Sequence, residues 1–257
     1  MSVRSTRLSM ALLIAAPFAA APLSAQGVEY AAGTTKYRIS TTTKGTQSSP
    51  MGSGNFELGL QQQLTVNLMK HAKDTLMATI TIDSIALKTA GPAPDMKQLV
   101  GKHWVSLISP TGKFYSTKLV DGVVDPALSQ ITESVSHFLP AYRGSLAAGT
   151  AWSDTVSGKV KQQGLDVDRT IVTNYKVSGD TTIGGEKAIR VERNSNVKAA
   201  GGGTAENTAM MMETTGNSTG AFFVTPKGVY LGGTNTDDMN VKITIKQVVQ
   251  TTTEAIK

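Results

Sequence analysis

Three histidines are the first residues in this chain whose type could support catalysis or metal binding. They are His71, His103 and His137, and they are widely separated in the sequence. Zinc sites recruit ligands in short pairs, for example two histidines roughly four residues apart, and the chain has no such pair. We therefore expect structural or solvent-facing roles for all three histidines, with no metal ion and no cofactor.

Two serine patterns match catalytic motifs by their spacing. The segment Gly216–Gly220 has the Gly-x-Ser-x-Gly spacing of a nucleophile elbow, and Ser195 to Lys198 has Ser-x-x-Lys spacing. The elbow needs its serine on a strand-to-helix turn, with Asp and then His later in the chain. Here a strand is predicted to follow, and no histidine lies beyond His137. We interpret both matches as chance and predict that the protein is not an enzyme; a hydrolase assembled from distant side chains is the alternative.

Two acidic pairs, Asp166/Asp168 and Asp237/Asp238, could bind calcium or act as general acid and base. The first pair would share one face of a strand, and the second is predicted to lie in a turn. The closing Glu of a calcium loop is absent. Aromatic residues make up only 5% of the chain, which counts against a sugar-binding cleft around paired carboxylates.

The composition excludes several classes of site. The chain has 257 residues and no cysteine, so disulfides, thiolate metal sites and thiol nucleophiles are excluded. The formal net charge is +6, but the basic residues are scattered rather than gathered in a stripe with aromatic residues. We therefore expect no nucleic-acid partner. Weak attraction to an anionic membrane surface stays open.

The first 25 residues have the three-part layout of a secretory signal peptide. A basic start precedes an uncharged apolar run from Leu8 to Pro22, and small residues stand before Gln26. The run is shorter than the roughly 20 residues that span a membrane. We predict that residues 1–25 are removed and that residues 26–257 form a single β-rich domain without a transmembrane segment. The mature protein would lie in the periplasm or outside the cell.

Alternating apolar residues predict long β-strands through most of the mature chain. Between Phe56 and Met69 apolar residues fall on one face and polar residues on the other, broken only by Gln62. A second alternation from Leu76 to Asp83 follows a polar turn, so the two segments predict a long hairpin. Further strands are predicted over residues 104–108, 114–119, 151–162, 167–177, 187–194, 209–215, 220–225, 229–234 and 239–252.

One helix is predicted between the two groups of strands, over about residues 126–139. Asp125 can cap it, Pro126 suits its first position, and apolar residues recur on one stripe. Pro140 would end the helix, because the residue before a proline is pushed out of the helical region.

Two segments rich in Thr, Ser or Gly, Thr41–Gly54 and Ala199–Asn207, are predicted to be long loops. Met210–Met212 follows the second loop. Methionine adapts to irregular apolar surfaces, so this run would fill gaps in a core or provide a flexible lining for an apolar ligand.

Taken together, the elements predict a mainly β fold. Long strands with one apolar face need cover, which closure of the sheet, wrapping or a helix can supply. We expect a long antiparallel meander that forms a curved sheet or an incomplete barrel, with the one central helix in or across its concave side.

Two groups of residues resemble motifs of exported β-proteins. Leu139-Pro140 followed by Gly149–Trp152 forms a "proline, then Gly-x-x-Trp" entry to a strand, and Gly220–Phe223 with Gly228–Leu231 forms paired strands around a glycine turn. With the element order, they resemble uncharacterised exported bacterial β-rich proteins across most of the mature chain. The architecture is similar to half-barrel carriers of the LolA/LppX type, which implies lipid held in a concave sheet. Lipoprotein members have an anchor cysteine that this chain lacks.

We expect a non-catalytic exported protein that holds a lipid-like or other apolar ligand in a curved β-sheet. The same inward residues would be ordinary core if the sheet is fully packed. The alternative is an envelope structural or protein-interaction module that binds a protein through strand edges and has no small ligand. An outer-membrane barrel is disfavoured, because such barrels carry aromatic girdles and only 5% of the residues in this chain are aromatic. The candidate ligand-lining residues are the inward set of the first hairpin: Leu58, Leu60, Leu64, Val66, Ile80 and Ile82.

Overall fold

The computed structural model describes residues 27–49, 52–90, 95–120, 122, 128–143, 145–162, 165–205 and 208–246. The segment predicted as a signal peptide lies outside these residues, as do Asp125 and Pro126 of the predicted helix start.

The strands form two separate antiparallel sheets of five strands each. In both sheets, strands that follow one another in the chain are hydrogen-bonded neighbours, so each sheet is a simple meander. Sheet 1 contains β1 (Gly33–Ser49), β2 (Gly52–Ala72), β3 (Thr75–Lys88), β4 (His103–Ile108) and β5 (Phe114–Leu119). Sheet 2 contains β6 (Ala151–Gln162), β7 (Leu165–Ile183), β8 (Glu186–Ala205), β9 (Thr208–Val224) and β10 (Tyr230–Lys246).

The predicted mainly β, antiparallel character is confirmed, but the strands do not form one continuous sheet. Among the described residues, β5 and β6 have no ladder between them, and each sheet keeps two edge strands. Neither sheet closes into a barrel. The alternation of apolar residues indicated strands correctly, but it carries no information on whether strands on either side of a long connection pair with each other.

One apolar core joins the two sheets. We call the face of each sheet that carries this core its inner face. Because side chains alternate along a strand, alternate residues of the second half of β2, from Leu64 to Leu68, and of the first half of β3, from Leu76 to Ile82, enter the core from sheet 1. From sheet 2, Val177, Val191 and Phe222 enter it, with exposures of 1%, 0% and 2%. At about 25 cal/mol per Å² of buried apolar area, this shared interior is the main favourable contribution to folding.

The predicted central helix over residues 126–139 is not formed at that length; the described residues contain only a shorter helix within this range. Between β5 and β6 the described residues form α1 (Ser129–Ser136), roughly two turns long, and a 3-10 turn lies at Met96–Leu99. The sequence of α1 is rich in Ser and Thr, which favour caps and turns over helix interiors. The hydroxyl of Ser134 donates to the carbonyl of Ile131 at 2.8 Å, a local bond of this competing kind.

Both predicted loops are wrong where the structure describes them. Residues 41–49 and 52–54 belong to β1 and β2, and residues 199–205 belong to β8. In the first case Gly45 lies opposite Phe56, and a Cβ at Gly45 would meet the Phe56 ring, so the aromatic side chain covers the glycine. The Thr, Ser and Gly content of these segments favoured loops, but pairing with the neighbouring strands makes them β-strands.

A short N-terminal segment, residues 27–32, connects the two sheets before β1 begins. Val28 and Tyr30 are both 5% exposed and belong to the shared core. The amide of Tyr30 donates to the carbonyl of Pro110 at 2.7 Å, beside sheet 1, and the amide of Ala31 donates to that of Gly228 at 3.0 Å, beside sheet 2. Gly228 has a φ of +82° and its Cα packs against the Glu29 carbonyl, which leaves no room for a side chain.

Candidate functional site

The six candidate ligand-lining residues occupy two environments. Leu64, Val66, Ile80 and Ile82 are 0–1% exposed and form part of the shared core. Leu58 and Leu60, which lie nearer the start of β2, are half-buried. Leu60 also borders a groove of about 390 Å³, together with Thr41, Gly59 and Lys88. Whether these residues contact a ligand stays a prediction.

The inner face of sheet 2 carries a different set of side chains beyond the core. Trp152 of β6 lies directly opposite Tyr175 of β7, and Tyr175 lies opposite Arg193 of β8. The Trp152 and Tyr175 rings are stacked, with centroids 4.9 Å apart and planes 13° from parallel. We call these three side chains the arginine row.

The guanidinium of Arg193 lacks both a hydrogen-bond acceptor for its buried N–H group and a counter-charge among the described residues. Its Nε is buried without a hydrogen-bond partner, and the same is true of Nε1 of Trp152. Within the described part of the chain, no carboxylate forms an ion pair with Arg193; Asp154, whose charge acts on Tyr175, is paired with Arg143 at 2.7 Å. A half-buried cation without a counter-charge is unfavourable unless something neutralises it.

The charge of Arg193 acts on two neighbouring phenols. Burial raises the pKa of Tyr175 and of Tyr230, and in both cases the positive charge of Arg193 opposes that rise. Both phenols therefore stay neutral at physiological pH and cannot serve as counter-ions. The arginine row is a set of hydrogen-bond donors around one cation, with aromatic faces beside it.

An aromatic cluster closes the space between the sheets next to this row. The hydroxyl of Tyr37 in β1 donates to the carbonyl of Tyr230 in β10 at 2.9 Å. Phe138 packs against both rings, with centroid distances of 4.9 Å to Tyr37 and 5.6 Å to Tyr230. Burial raises the pKa of Tyr37 to about 12. Sheet 1 and sheet 2 are thus tied together by neutral aromatic side chains at this point.

Sheet 1 contributes one more buried donor. Gln62 is 3% exposed, and its Nε2 has no acceptor among the described residues. It lies on the apolar inner face of β2, directly between Ile39 of β1 and Ile85 of β3. A buried amide N–H without a partner costs roughly 1–3 kcal/mol. The interior therefore holds unpaired donors on both sheets.

The serines of the two motif matches lie inside strands. Ser218 is in β9 and donates to Oδ1 of Asn235 at 2.9 Å, while the Ser195 hydroxyl in β8 lies 2.8 Å from that of Thr173. Thr173, Ser195 and Ser218 lie opposite one another and form the row next to the arginine row, whereas Asn235 is in register with Arg193. Ser218 is not on a strand-to-helix turn, so the elbow geometry is missing at this position.

The other residues singled out in the sequence are dispersed. Asp166 and Asp168 share the outer face of β7, as expected, but Asp237 and Asp238 lie in β10 rather than in the predicted turn. In the described residues, no three His, Asp or Glu side chains come together as a metal-binding group. His71 lies near the end of β2, His103 begins β4, and His137 packs against the ring of Phe114.

Sequence reasoning did not single out Tyr175 or Arg193, and it noted Trp152 only as part of the Gly-x-x-Trp entry to a strand. One signal was present: Arg193 continues the apolar alternation of Ile189 and Val191, so its parity places it on the inner face. The interruption of the β2 alternation by Gln62 was the corresponding signal in sheet 1. In each case the polar residue breaks the rule that inner-face positions are apolar, and such exceptions are concentrated at functional sites.

A second groove lies over sheet 2, with a volume of about 540 Å³. Gly220 and Ala221 border it, with Lys176, Arg190 and Glu192 around them, and Tyr175 and Arg193 of the arginine row also line it. Arg190 is paired with Glu192 at 3.4 Å, in contrast to Arg193. The lining of this groove mixes charged and polar groups with apolar surface, and we assign no ligand to it.

Comparison with protein-family models, with curated proteins and with solved structures returns no match to this chain. Within the described residues, no helix has the length and apolar character needed to cross a membrane.

Proposed function

We propose that this is a non-catalytic exported protein that binds an amphiphile on the inner faces of its sheets. The ligand has an apolar part and a group that accepts hydrogen bonds, with an acidic group favoured. One observation carries the proposal: Arg193 is half-buried and lacks a carboxylate partner in the described part of the chain, and its own Nε and the Nε1 of Trp152 in the same row are buried without acceptors.

The apolar part of the ligand is supported by inner-face residues beyond the shared core. Leu58, Leu60 and Ile39 of sheet 1, and Ile171 and Val197 of sheet 2, are only half-buried. These positions continue the apolar faces of their strands past the point where the two sheets are tied by Tyr37 and Tyr230. Burying such surface against an acyl chain would contribute about 0.8 kcal/mol per methylene group.

The polar part is supported by the chemistry of the unpaired groups. The guanidinium of Arg193 and the indole of Trp152 are donors only, as is Nε2 of the Gln62 amide. A carboxylate or phosphate oxygen can accept from such donors and also neutralise the arginine charge. An uncharged hydrocarbon would leave the same groups unpaired.

Native mass spectrometry with organic extraction tests the proposal first, on protein purified from an export-competent host. We expect an acidic amphiphile to co-purify in defined stoichiometry. Titration with oleate and with oleyl alcohol then compares two ligands that share one chain and differ in the head group. Equal affinity for the two would contradict the role given to Arg193.

Arg193→Gln and Arg190→Gln form a matched pair, because both arginines lie in β8 and, of the two, Arg190 alone has a carboxylate partner among the described residues. We expect Arg193→Gln to weaken oleate binding by about 10- to 100-fold, as loss of a charged hydrogen bond does. Arg190→Gln should leave it unchanged. No binding of either ligand by the parent protein would overturn the proposal.

The second candidate function is an envelope structural or protein-interaction module. The observation that favours it is the long open edge of β10, whose side chains are exposed along most of the strand.

A further inference from the structure

The two long edge strands of the molecule differ in charge. The outer face of β1 carries Lys36, Arg38 and Lys44, and the strand has no acidic residue. The strand β10 carries two acidic and two basic residues, so its formal charge is zero. Lysines on an edge strand discourage pairing with a second copy, because like charges would face each other. The edge strand β1 carries charges of one sign and is protected in this way, whereas β10 carries both signs and can pair with a second copy without net repulsion.

From Met239 onward, the inner face of β10 is also apolar and exposed. Met239, Val241, Ile243 and Ile245 alternate along the strand and are 40%, 53%, 46% and 61% exposed. They share a face with Met212 of β9, which lies opposite Ile243 and is 2% exposed. A contiguous apolar stripe beside an open hydrogen-bonding edge is a surface suited to strand addition.

We propose that β10 pairs antiparallel with β10 of a second copy, with Asn240 opposite Asn240 on the two-fold axis. An isologous pairing of this kind brings residue i opposite residue j and residue j opposite residue i. In this register Asp238 lies opposite Lys242 twice, Thr236 lies opposite Thr244 twice, and Met239 lies opposite Val241 twice. Ten strands from two chains then form one continuous sheet.

Charge complementarity selects this register. Among the described residues, neither Asp238 nor Lys242 takes part in an ion pair within its own chain. Shifting the register so that Lys242 lies opposite itself would align more of the apolar residues, but it would set two like charges across the axis, which is destabilising. The chosen register has no like-charge pair. It sets Asp237 opposite Ile243, where the carboxylate keeps its 2.6 Å hydrogen bond from Asn235.

Charge reversal tests the partner and the register together. Asp238→Lys or Lys242→Asp alone creates two like-charge pairs across the axis, and we expect each to weaken dimerisation by about tenfold in sedimentation equilibrium. The double variant Asp238→Lys/Lys242→Asp restores both opposite-charge pairs and should recover the dimer. Recovery in the double variant separates a lost contact from a failure to fold. A parent protein that is monomeric at all accessible concentrations overturns the proposal.

Cysteine substitution gives an independent measure of register, because the chain contains no cysteine of its own. Directly opposed residues in antiparallel strands have Cα atoms about 4.5–5.5 Å apart, within disulfide range. Asn240→Cys should give a covalent dimer on mild oxidation. Ser40→Cys, at an exposed position on the outer face of β1, should not. Crosslinking through Lys242→Cys in place of Asn240→Cys would overturn the register.

Discussion

The two sheets have the same topology but use their inner faces differently. In sheet 1, Leu64, Val66, Ile80 and Ile82 fill the shared core and are 0–1% exposed. On the inner face of sheet 2, buried Val191 is followed along β8 by Arg193 of the arginine row and then by the hydroxyl of Ser195. Equal strand number and connectivity therefore do not imply equal roles. One sheet supplies most of the core, and the other carries the polar groups that a ligand could satisfy.

The sheets also differ in what surrounds their glycines. In sheet 1, a Cβ at Gly45 would meet a phenyl ring, which is a side chain that can move. In sheet 2, a Cβ at Gly201, Gly216 or Gly220 would clash with a backbone oxygen of the neighbouring strand. The backbone of the neighbouring strand cannot move away without distorting the hydrogen bonds between the two strands. The close approach of strands in sheet 2 therefore depends on glycine itself.

The largest expected effect tests sheet 1 as the source of the core. Ile80→Ala should lower the free energy of unfolding by about 2–5 kcal/mol, since Ile80 is 0% exposed and its loss leaves a cavity. Val156→Ala, on the inner face of sheet 2 but 60% exposed, should change it by no more than about 0.5 kcal/mol. Urea unfolding measures both. Similar values for the two variants would remove the distinction between the sheets.

An intermediate effect is expected from the glycines of sheet 2. Gly220→Ala should destabilise by about 1–3 kcal/mol, because its Cβ would press on the Thr234 carbonyl oxygen. The control is Gly158→Ala in the same sheet, where a Cβ would have no atom within 4 Å. That change should be neutral or stabilise by up to about 1 kcal/mol, because alanine restricts the unfolded chain. Thermal unfolding should show a lower midpoint for Gly220→Ala and an unchanged or higher midpoint for Gly158→Ala.

The smallest expected effect concerns the aromatic contact that links the sheets. The pKa of Tyr37 is raised from 10.0 to about 12 by burial, so the folded state holds its proton more tightly than the unfolded state does. The stability linked to this proton is fully present below about pH 10 and is lost as the pH rises through about 12.

Tyr37→Phe removes this titration and also the hydrogen bond to Tyr230, so it should cost about 0.5–1.5 kcal/mol at neutral pH. The difference between variant and parent should shrink above pH 10, as measured by urea midpoints at several pH values. An alkaline loss of identical steepness in both proteins would show that Tyr37 titrates as an exposed phenol does.

The first hairpin was predictable because its signal is local. Alternation from Phe56 to Met69 and from Leu76 to Asp83 located β2 and β3, and it placed Leu64 and Ile80 on the inner side. Side-chain period and strand conformation are linked directly, so no knowledge of partners was needed.

The errors occurred where distant partners decide the structure. Thr41–Gly54 has the composition of a loop, yet Phe56 covers Gly45 in the β1–β2 ladder. Asp237 and Asp238 have turn chemistry, yet β9 pairs with β10 through both positions. The arginine row was beyond prediction for the same reason, since Trp152, Tyr175 and Arg193 come together only through the registers of β6, β7 and β8.

The N-terminal segment has a consequence for the order in which the molecule can assemble. The amides of Tyr30 and Ala31 bind carbonyls of Pro110 and Gly228, so an early part of the chain is held by a turn near its far end. Closing so long a loop carries a large entropic cost, and contacts of high sequence separation slow folding. During synthesis this segment emerges before its second partner exists. We expect it to stay undocked, with Val28 and Tyr30 accessible to solvent, until the β9–β10 hairpin is complete.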